Sequence, residues 1–233
     1  MAIGDIRRSV LEIVNEVQIR MGLNPTSSLT ETKHAQTLLS LLNMVIDDLS
    51  DFGDWPETYL ETSVAAVGGV GEYTISAGLD LVKSIEEISF GGDTAPLDVV
   101  DPQDLRQLHR LGTKGRPRQF AVVGVDGGTG NPKVRVWPIP TTAMSGEDFT
   151  VCLYVKPPLY TTRDGRAEPP FPAAVVIQGL YAQALLEEND GEPGPQSDAQ
   201  FALYEKMKHE AINRYTGDTG TDVRFVPRMG RRG

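Results

Sequence analysis

The sequence predicts an α+β protein in which helices and strands occupy separate parts of the chain. Near both ends, apolar residues recur every three to four positions, which is the helical period, whereas short alternating stretches typical of strands fill the middle. Glycine and proline, 24 and 16 of the 233 residues, divide those stretches and argue against an all-helical protein. We expect N- and C-terminal helices forming a bundle around a central antiparallel β-sandwich or barrel-like domain, with an extended C-terminal arm.

The N-terminal part, residues 1–58, predicts two helices. Residues 5–21 place apolar side chains on one face, and a second helix begins near Ser28, which has capping-box spacing with Glu31. The second helix ends in a group of four carboxylates that we call the acidic cluster: Asp47, Asp48, Asp51 and Asp54. Because carboxylates at a helix C-terminus oppose the helix dipole, the cluster is either a solvated end or has a use outside the helix.

Residues 59–160 predict a β domain with a short inserted helix at 102–111. The predicted strands cover residues 59–67, 71–75, 84–90, 119–123, 133–137 and 149–156. Asp101 is a suitable N-cap for the inserted helix, and Gly112 suits its C-terminal cap. The glycines around Gly68-Gly69 and around Asp126-Gly127 predict hairpin turns.

The C-terminal part predicts two more helices and then an arm. Residues 161–216 supply helices that begin after Phe171-Pro172 and near Ser197, and these complete the bundle. Residues 217–233 lack periodicity, so they are either a free end or an arm that docks onto a partner. The basic and apolar residues that favour docking are Arg224, Phe225, Val226, Arg228, Arg231 and Arg232.

The net charge of −10 argues against a protein whose whole surface binds nucleic acid. Residues 102–118 are nevertheless basic and predict either a solvated loop or a contact loop for phosphates or an acidic protein face. The basic residues of this stretch are Arg106, Arg110, Lys114, Arg116 and Arg118. No apolar run reaches the length of a membrane span, and the amphipathic N-terminus is not typical of a signal peptide.

Residues that carry out catalysis or bind metals are sparse. Cys152, the one cysteine, lies in the middle of a predicted strand and is expected to be a small core or interface residue. His34, His109 and His209 each lack a second ligand at helical spacing. We therefore expect no catalytic site, no metal and no cofactor.

Several motifs carry a family resemblance through their order along the chain. They run from Ser76–Ile85, Pro96-Leu97 and Asp101–Leu105 through Gly115–Phe120 and Val134–Pro140 to Phe149–Leu159 and Phe171-Pro172. In this order they resemble the head-to-tail adaptor proteins, also called connector or head-completion proteins, of tailed double-stranded DNA bacteriophages. The resemblance covers residues 5–215.

The resemblance implies a virion structural protein without enzymatic activity, made in the host bacterial cytoplasm and located at the head–tail interface. Such subunits form a ring, commonly of twelve, that docks on the portal protein and extends the DNA channel. The ring also offers an attachment surface to nozzle, tail or tail-tube proteins, and double-stranded DNA passes without sequence-specific binding. In this chain the arm is then expected to clasp the portal or a neighbouring subunit, and the acidic cluster to line the channel.

Two other functions are compatible with the strand pattern. One is a non-catalytic ligand- or carbohydrate-binding β-sandwich module, which would need a cluster of exposed aromatic or polar groups on its loops. Trp55 and Trp137 are the only tryptophans and do not form such a cluster in the sequence. The other is an enzyme with an unfamiliar site, for which the sequence offers no nucleophile, base or metal spacing.

Overall fold

Helices occupy both ends of the described chain, and strands occupy most of its middle. The computed structural model describes residues 7–78 and 81–216. Its helices are α1 (Val10–Arg20), α2 (Lys33–Phe52), α3 (Pro102–Arg110), α4 (Ala173–Glu188) and α5 (Pro195–Thr216). Its strands are β1 (Tyr59–Ala65), β2 (Glu72–Thr74), β3 (Leu81–Phe90), β4 (Asp98–Val99), β5 (Gln119–Val125), β6 (Pro132–Trp137) and β7 (Asp148–Lys156). The predicted α+β class is confirmed.

The strands form two sheets, and the described strands do not close into a barrel. One sheet has the order β1-β7-β3 and is antiparallel throughout. The other has the order β2-β6-β5-β4, in which β4 runs parallel to β5. Strand β4 is absent from the sequence-based expectation because two residues are too short to show a period.

The two sheets share one hydrophobic core. Val134 and Val136 of β6 and Val151 and Leu153 of β7 are all buried, as their alternation predicts. The ring of Phe149 on β7 joins the sheets, since its centroid lies 5.0 Å from that of Tyr73 on β2. The inner faces of the two sheets therefore face each other, and their outer faces point in opposite directions.

Helices α1, α2, α4 and α5 share a second hydrophobic core, distinct from that of the strands. The chain leaves this core after Trp55, and Tyr160 and Ala167 pack against it again after the last strand. The buried rings of Trp55 and Phe171 meet edge to face at 5.4 Å. The whole β part is thus inserted between two neighbouring points of the helical core. Of the expected bundle around a sandwich or barrel, the structure shows the core shared by four helices and the two sheets that face each other. An arrangement of the helices around the sheets is not confirmed.

The starts of the first two helices differ from the sequence-based prediction. Helix α1 begins at Val10 rather than near residue 5, because Ser9 and Glu12 form the reciprocal capping box that starts a helix. The capping box predicted at Ser28 and Glu31 is wrong. Glu31 instead accepts hydrogen bonds from the backbone and hydroxyl of Ser27, and α2 begins after Thr32.

The two glycine-rich turns have different outcomes. The hairpin at Asp126-Gly127 is confirmed: β5 and β6 are antiparallel neighbours, and the Asp126 carboxylate accepts hydrogen bonds from the backbone of Gly128 and Thr129. The hairpin at Gly68-Gly69 is wrong, because β1 pairs with β7 and β2 pairs with β6. This turn carries the chain from one sheet to the other.

Helix α3 packs on the outer face of the four-stranded sheet. Asp101 caps its N-terminus by accepting from the Gln103 backbone, and Gly112 follows its end with a φ of +64°, as expected. Leu105 of α3 and Ala121 of β5 are both buried, between the helix and the sheet. The basic stretch that follows α3 is therefore carried on the outside of this sheet.

Gly179 of α4 marks the closest approach of three helices. A Cβ atom at this position would lie 2.7 Å from the Tyr204 ring of α5 and 2.8 Å from Val45 Cγ1 of α2. Both distances are shorter than van der Waals contact. Because Gly179 has no side chain, the backbone of α4 packs directly against α2 and α5.

We predict that Gly179→Leu lowers the free energy of unfolding by about 3 kcal/mol through overpacking, measured by urea denaturation. Ala174→Leu, at an exposed position of the same helix, is the matched control and is expected to change it by less than about 0.5 kcal/mol. Equal effects of the two substitutions would contradict this packing.

Candidate interaction surfaces

The acidic cluster is bound by lysines from other elements. Lys156, the last residue of β7, places its Nζ 2.7 Å from Asp47 Oδ1 and 3.1 Å from Asp51 Oδ1. The hydrogen bond to Asp47 raises the pKa of Lys156 above its ordinary value, with Asp51 acting in the same direction and burial opposing both. Asp47 and Asp51 are one helical turn apart, so a single ammonium group spans both carboxylates.

Lys83 of β3 binds the very end of α2. Its Nζ donates to the carbonyl of the C-cap residue Gly53 at 2.7 Å and lies 3.0 Å from Asp54 Oδ1. A cation at this place satisfies a terminal carbonyl and faces the negative end of the helix dipole. The dipole is therefore compensated by a residue from the β part.

Lys208 of α5 is the most buried member of this group. Its side chain is only 5% exposed, and its Nζ lies 3.0 Å from Asp48 Oδ2 and 2.8 Å from Glu205 Oε1. The ammonium group also lies over the ring of Phe52, 4.5 Å from the centroid. Burial acts to lower the pKa of Lys208, but the bonds to Glu205 and Asp48 outweigh it and raise the pKa.

Each aspartate of the acidic cluster is thus ion-paired with a lysine outside α2. These pairs connect the cluster to other elements of the same chain, whereas a use toward a partner stays a prediction. The four carboxylate side chains still keep half or more of their surface in solvent, from 50% for Asp48 to 66% for Asp51. The cluster therefore joins elements and presents carboxylates to solvent at the same time.

Arg116, expected in a basic contact loop, is held by internal contacts. Its guanidinium group lies 2.8 Å from Asp93 and 3.4 Å from Glu147, and it donates to the Phe90 carbonyl at 3.2 Å. It also stacks over the Phe90 ring at 5.2 Å. These contacts join the ends of β3 and β7, so Arg116 contributes to the fold.

The other four basic residues of this stretch form what we call the basic surface: Arg106, Arg110, Lys114 and Arg118. All four are exposed, and their side chains have no ion-pair partner in residues 7–78 and 81–216. Residues 105–118 contain no acidic side chain, and Asp101 and Asp104 lie at the opposite, N-terminal end of α3. Positive charge is therefore concentrated at the C-terminal end of α3 and in the loop after it.

The polar groups beneath α3 are enclosed by the fold. The ring of His109 lies where a side chain on Gly71 would overlap it, and Arg135 pairs with Glu72 at 2.8 Å nearby. Burial, with Arg135 acting in the same direction, lowers the pKa of His109. The neutral imidazole therefore serves as a packing group between α3 and the sheet.

A second charged surface, which the sequence analysis did not identify, lies on the outer face of the three-stranded sheet. We call it the acidic sheet face and define it by Tyr59, Glu61, Glu86, Glu87 and Tyr154. Glu61, Glu86 and Glu87 are exposed and have no ion-pair partner among the described residues. From Glu61 onward the exposed positions of β1 alternate with half-buried ones, and the outward series Tyr59, Glu61 and Ser63 at every second position is the signal that would have revealed the face.

Cys152 lies on this outer face and is half-buried, so of its two expected places, core or interface, the core is excluded and the interface stays a prediction. A hydrogen bond between Tyr59 and Cys152 is the main cause that raises the pKa of Tyr59, and burial, Glu86 and Glu61 add to it. The thiol therefore contacts a phenol at the surface rather than a histidine.

Three further observations complete the comparison with the sequence. The arm residues Arg224, Phe225, Val226, Arg228, Arg231 and Arg232 lie outside the described residues. Within the described part, no group of three histidine, cysteine or carboxylate side chains is placed to hold a metal ion. None of the described helices is long and apolar enough to cross a membrane.

We predict that Asp48→Ala lowers the free energy of unfolding by about 2 kcal/mol, measured by chemical denaturation, because the buried Lys208 and the Tyr204 hydroxyl both lose their shared acceptor. Asp51→Ala is the control and is expected to cost less than about 0.5 kcal/mol, since Lys156 keeps Asp47. A loss of the same size in both variants would mean that burial of Lys208 plays no part.

Comparison with known proteins identifies the family of the chain. No curated protein matches the sequence. The model of one family, described as SU10 adaptor protein, matches residues 3–230, which is nearly the whole chain. This match agrees with the resemblance to phage head-to-tail adaptors that the order of motifs indicates, and it implies a structural role with contacts to portal and tail proteins in the virion. The chain therefore belongs to the SU10 adaptor protein family, and its role in the phage is that of a structural adaptor.

Proposed function

We propose that the chain is a head-to-tail adaptor that forms a ring, of twelve subunits, on the portal of a tailed phage. The ring extends the DNA channel and offers the surface to which the nozzle, tail or tail tube attaches. The observation that carries this proposal is the family match over residues 3–230, because it covers both the helical and the β part. The work of such a protein consists of binding neighbours, with no bond made or broken.

The charge of the chain supports a channel through which DNA slides. Each copy carries a net charge of −10, and a ring multiplies this charge around its axis. Acidic walls repel phosphates and so disfavour stable contacts with the DNA backbone. In this proposal Asp47, Asp48, Asp51 and Asp54 line the channel. Each is paired with a lysine, and at least half of each carboxylate side chain faces solvent, which supports this placement.

The C-terminal arm is proposed as the segment that clasps the portal or a neighbouring subunit. Phe225 and Val226 supply apolar anchors, and the four arginines, Arg224, Arg228, Arg231 and Arg232, supply charge partners for acidic groups. Apolar anchors surrounded by cations are typical of extended segments that bind in a groove or along a sheet edge.

We predict that the purified chain adds a ring of twelve copies to purified portal rings of the same phage, seen by electron microscopy. The expected result is an extra layer of density coaxial with the portal, and mass spectrometry of purified virions is expected to detect the chain. Failure to bind portals together with absence from virions would overturn the proposed function. A monomer in solution without portals is compatible with it.

We predict that deletion of residues 217–233 weakens portal binding at least tenfold, which corresponds to about 1.4 kcal/mol, measured by surface plasmon resonance. The thermal unfolding midpoint of the truncated chain serves as the control for folding. The apolar variant Phe225→Ala/Val226→Ala and the charge variant Arg228→Ala/Arg231→Ala separate the two kinds of contact. Undiminished attachment of the truncated chain would refute the clasp.

A further inference from the structure

The β part carries two surfaces of opposite charge on opposite sides, and neither has an ion-pair partner in the part of the chain that the structure describes. The sheets share one core, so the outer face of the three-stranded sheet and the outer face of the four-stranded sheet point away from each other. The acidic sheet face occupies the first of these, and α3 with the basic surface is packed on the second. The two surfaces cannot neutralise each other within one molecule.

The acidic sheet face is built by strand register. Glu61 of β1 and Glu87 of β3 lie on either side of Cys152 of β7, so both carboxylates share the outward face. Tyr59 and Tyr154 are register partners, and their rings meet at 5.5 Å. Burial is the main cause that raises the pKa of Tyr154, and the carboxylates of Glu86 and Asp54 add to it.

This face has the chemistry that recognises arginine. Carboxylates accept the paired N–H groups of a guanidinium, and tyrosine rings attract the same cation through their negative faces. Tyr59 is 45% exposed, so its ring is accessible to a partner. A basic protein surface with at least two arginines therefore fits this face.

The basic surface offers such a partner on the same polypeptide. Arg106 and Arg110 are one helical turn apart on α3, and Lys114 follows four positions later in the loop. Leu111, next to Arg110, is 72% exposed and supplies an apolar group beside the cations. The charges and the apolar neighbour complement a face that carries carboxylates and two phenol rings.

We propose that the basic surface of one copy docks on the acidic sheet face of the next copy, in a head-to-tail contact that repeats around the ring. The inference rests on the proposed function in that it names a contact between its subunits. A contact between two different surfaces of one chain is heterologous, and such contacts generate closed rings when the rotation between copies closes. The opposite charges on opposite sides of the β part give each copy two different surfaces, as a heterologous contact requires.

The test uses two full-length charge-reversal variants. The basic variant, Arg106→Glu/Arg110→Glu, places carboxylates opposite the acidic sheet face of the next copy. The acidic variant, Glu61→Lys/Glu87→Lys, places lysines opposite the basic surface of the next copy. Neither is expected to assemble alone, with the association constant at least about a hundredfold below that of the unaltered chain. In an equimolar mixture the reversed basic surface of one variant meets the reversed acidic sheet face of the other, and the two unaltered surfaces also meet. Assembly in which the two variants alternate is therefore expected to return.

Mass photometry and electron microscopy, with and without portal rings, provide the measurement. Arg163→Glu/Arg166→Glu changes two exposed arginines outside both surfaces and alters the net charge as much as the basic variant does. This control is expected to assemble like the unaltered chain. Circular dichroism of each variant confirms that it is folded.

Four results would overturn the inference. The first is assembly of either variant alone at the level of the unaltered chain, and the second is a mixture that assembles no better than its components. The third is loss of binding to duplex DNA in the basic variant with unchanged assembly, which would assign that surface to phosphates. Loss of assembly only on deletion of residues 217–233 would identify the arm as the occupant and also refute the contact. In all these cases a ring of the unaltered chain on portals leaves the proposed function standing.

Discussion

The ion pairs at the C-terminal end of α2 join two hydrophobic cores that remain separate. Lys83 and Lys156 reach this end from the β part, and Lys208 reaches it from α5. Apolar packing fixes each core internally, whereas the seam between the end of α2 and the β strands is polar. The lysines also neutralise carboxylates that would otherwise oppose the dipole of α2. The orientation of the β part on the helices therefore depends on directional charged contacts.

The edge-to-face contact of Trp55 with Phe171 lies close to the place where the β part joins the helical core, and it helps to fix that place. Both rings are buried in the helical core, Trp55 shortly before the first strand and Phe171 shortly before α4. The Trp55 indole also donates to the Leu49 carbonyl at 2.7 Å, which ties the first crossing to α2. A β part held to the end of α2 by two of its own lysines, next to this ring contact, keeps its outer faces in a defined direction, as an adaptor needs when its neighbours bind on several sides.

Much of the fold follows from patterns that operate over a few residues. The alternation of Val134, Val136, Val151 and Leu153 identified their buried faces correctly, and Asp101 and Gly112 marked the ends of α3. The same patterns place the start of α2 too early, near Ser28. Glu31 has two possible serine partners, Ser27 and Ser28, and in the structure its carboxylate accepts from Ser27. The patterns also wrongly predict a hairpin at Gly68-Gly69, since turn chemistry does not reveal which strand a neighbour pairs with.

The sequence by itself determined the α+β class, the order of the elements, most of their bounds and the family of the chain. These depend on periodicity, on caps and on the order of short motifs, all of which are local or linear properties. Only the tertiary structure decided which charges are free. Asp51 and Lys156 are 105 positions apart and nevertheless form an ion pair, whereas Glu61 and Arg106 have no such partner among residues 7–78 and 81–216. The physical reason is that an ion pair depends on distance in space, and strand pairing and helix packing set that distance across the whole chain.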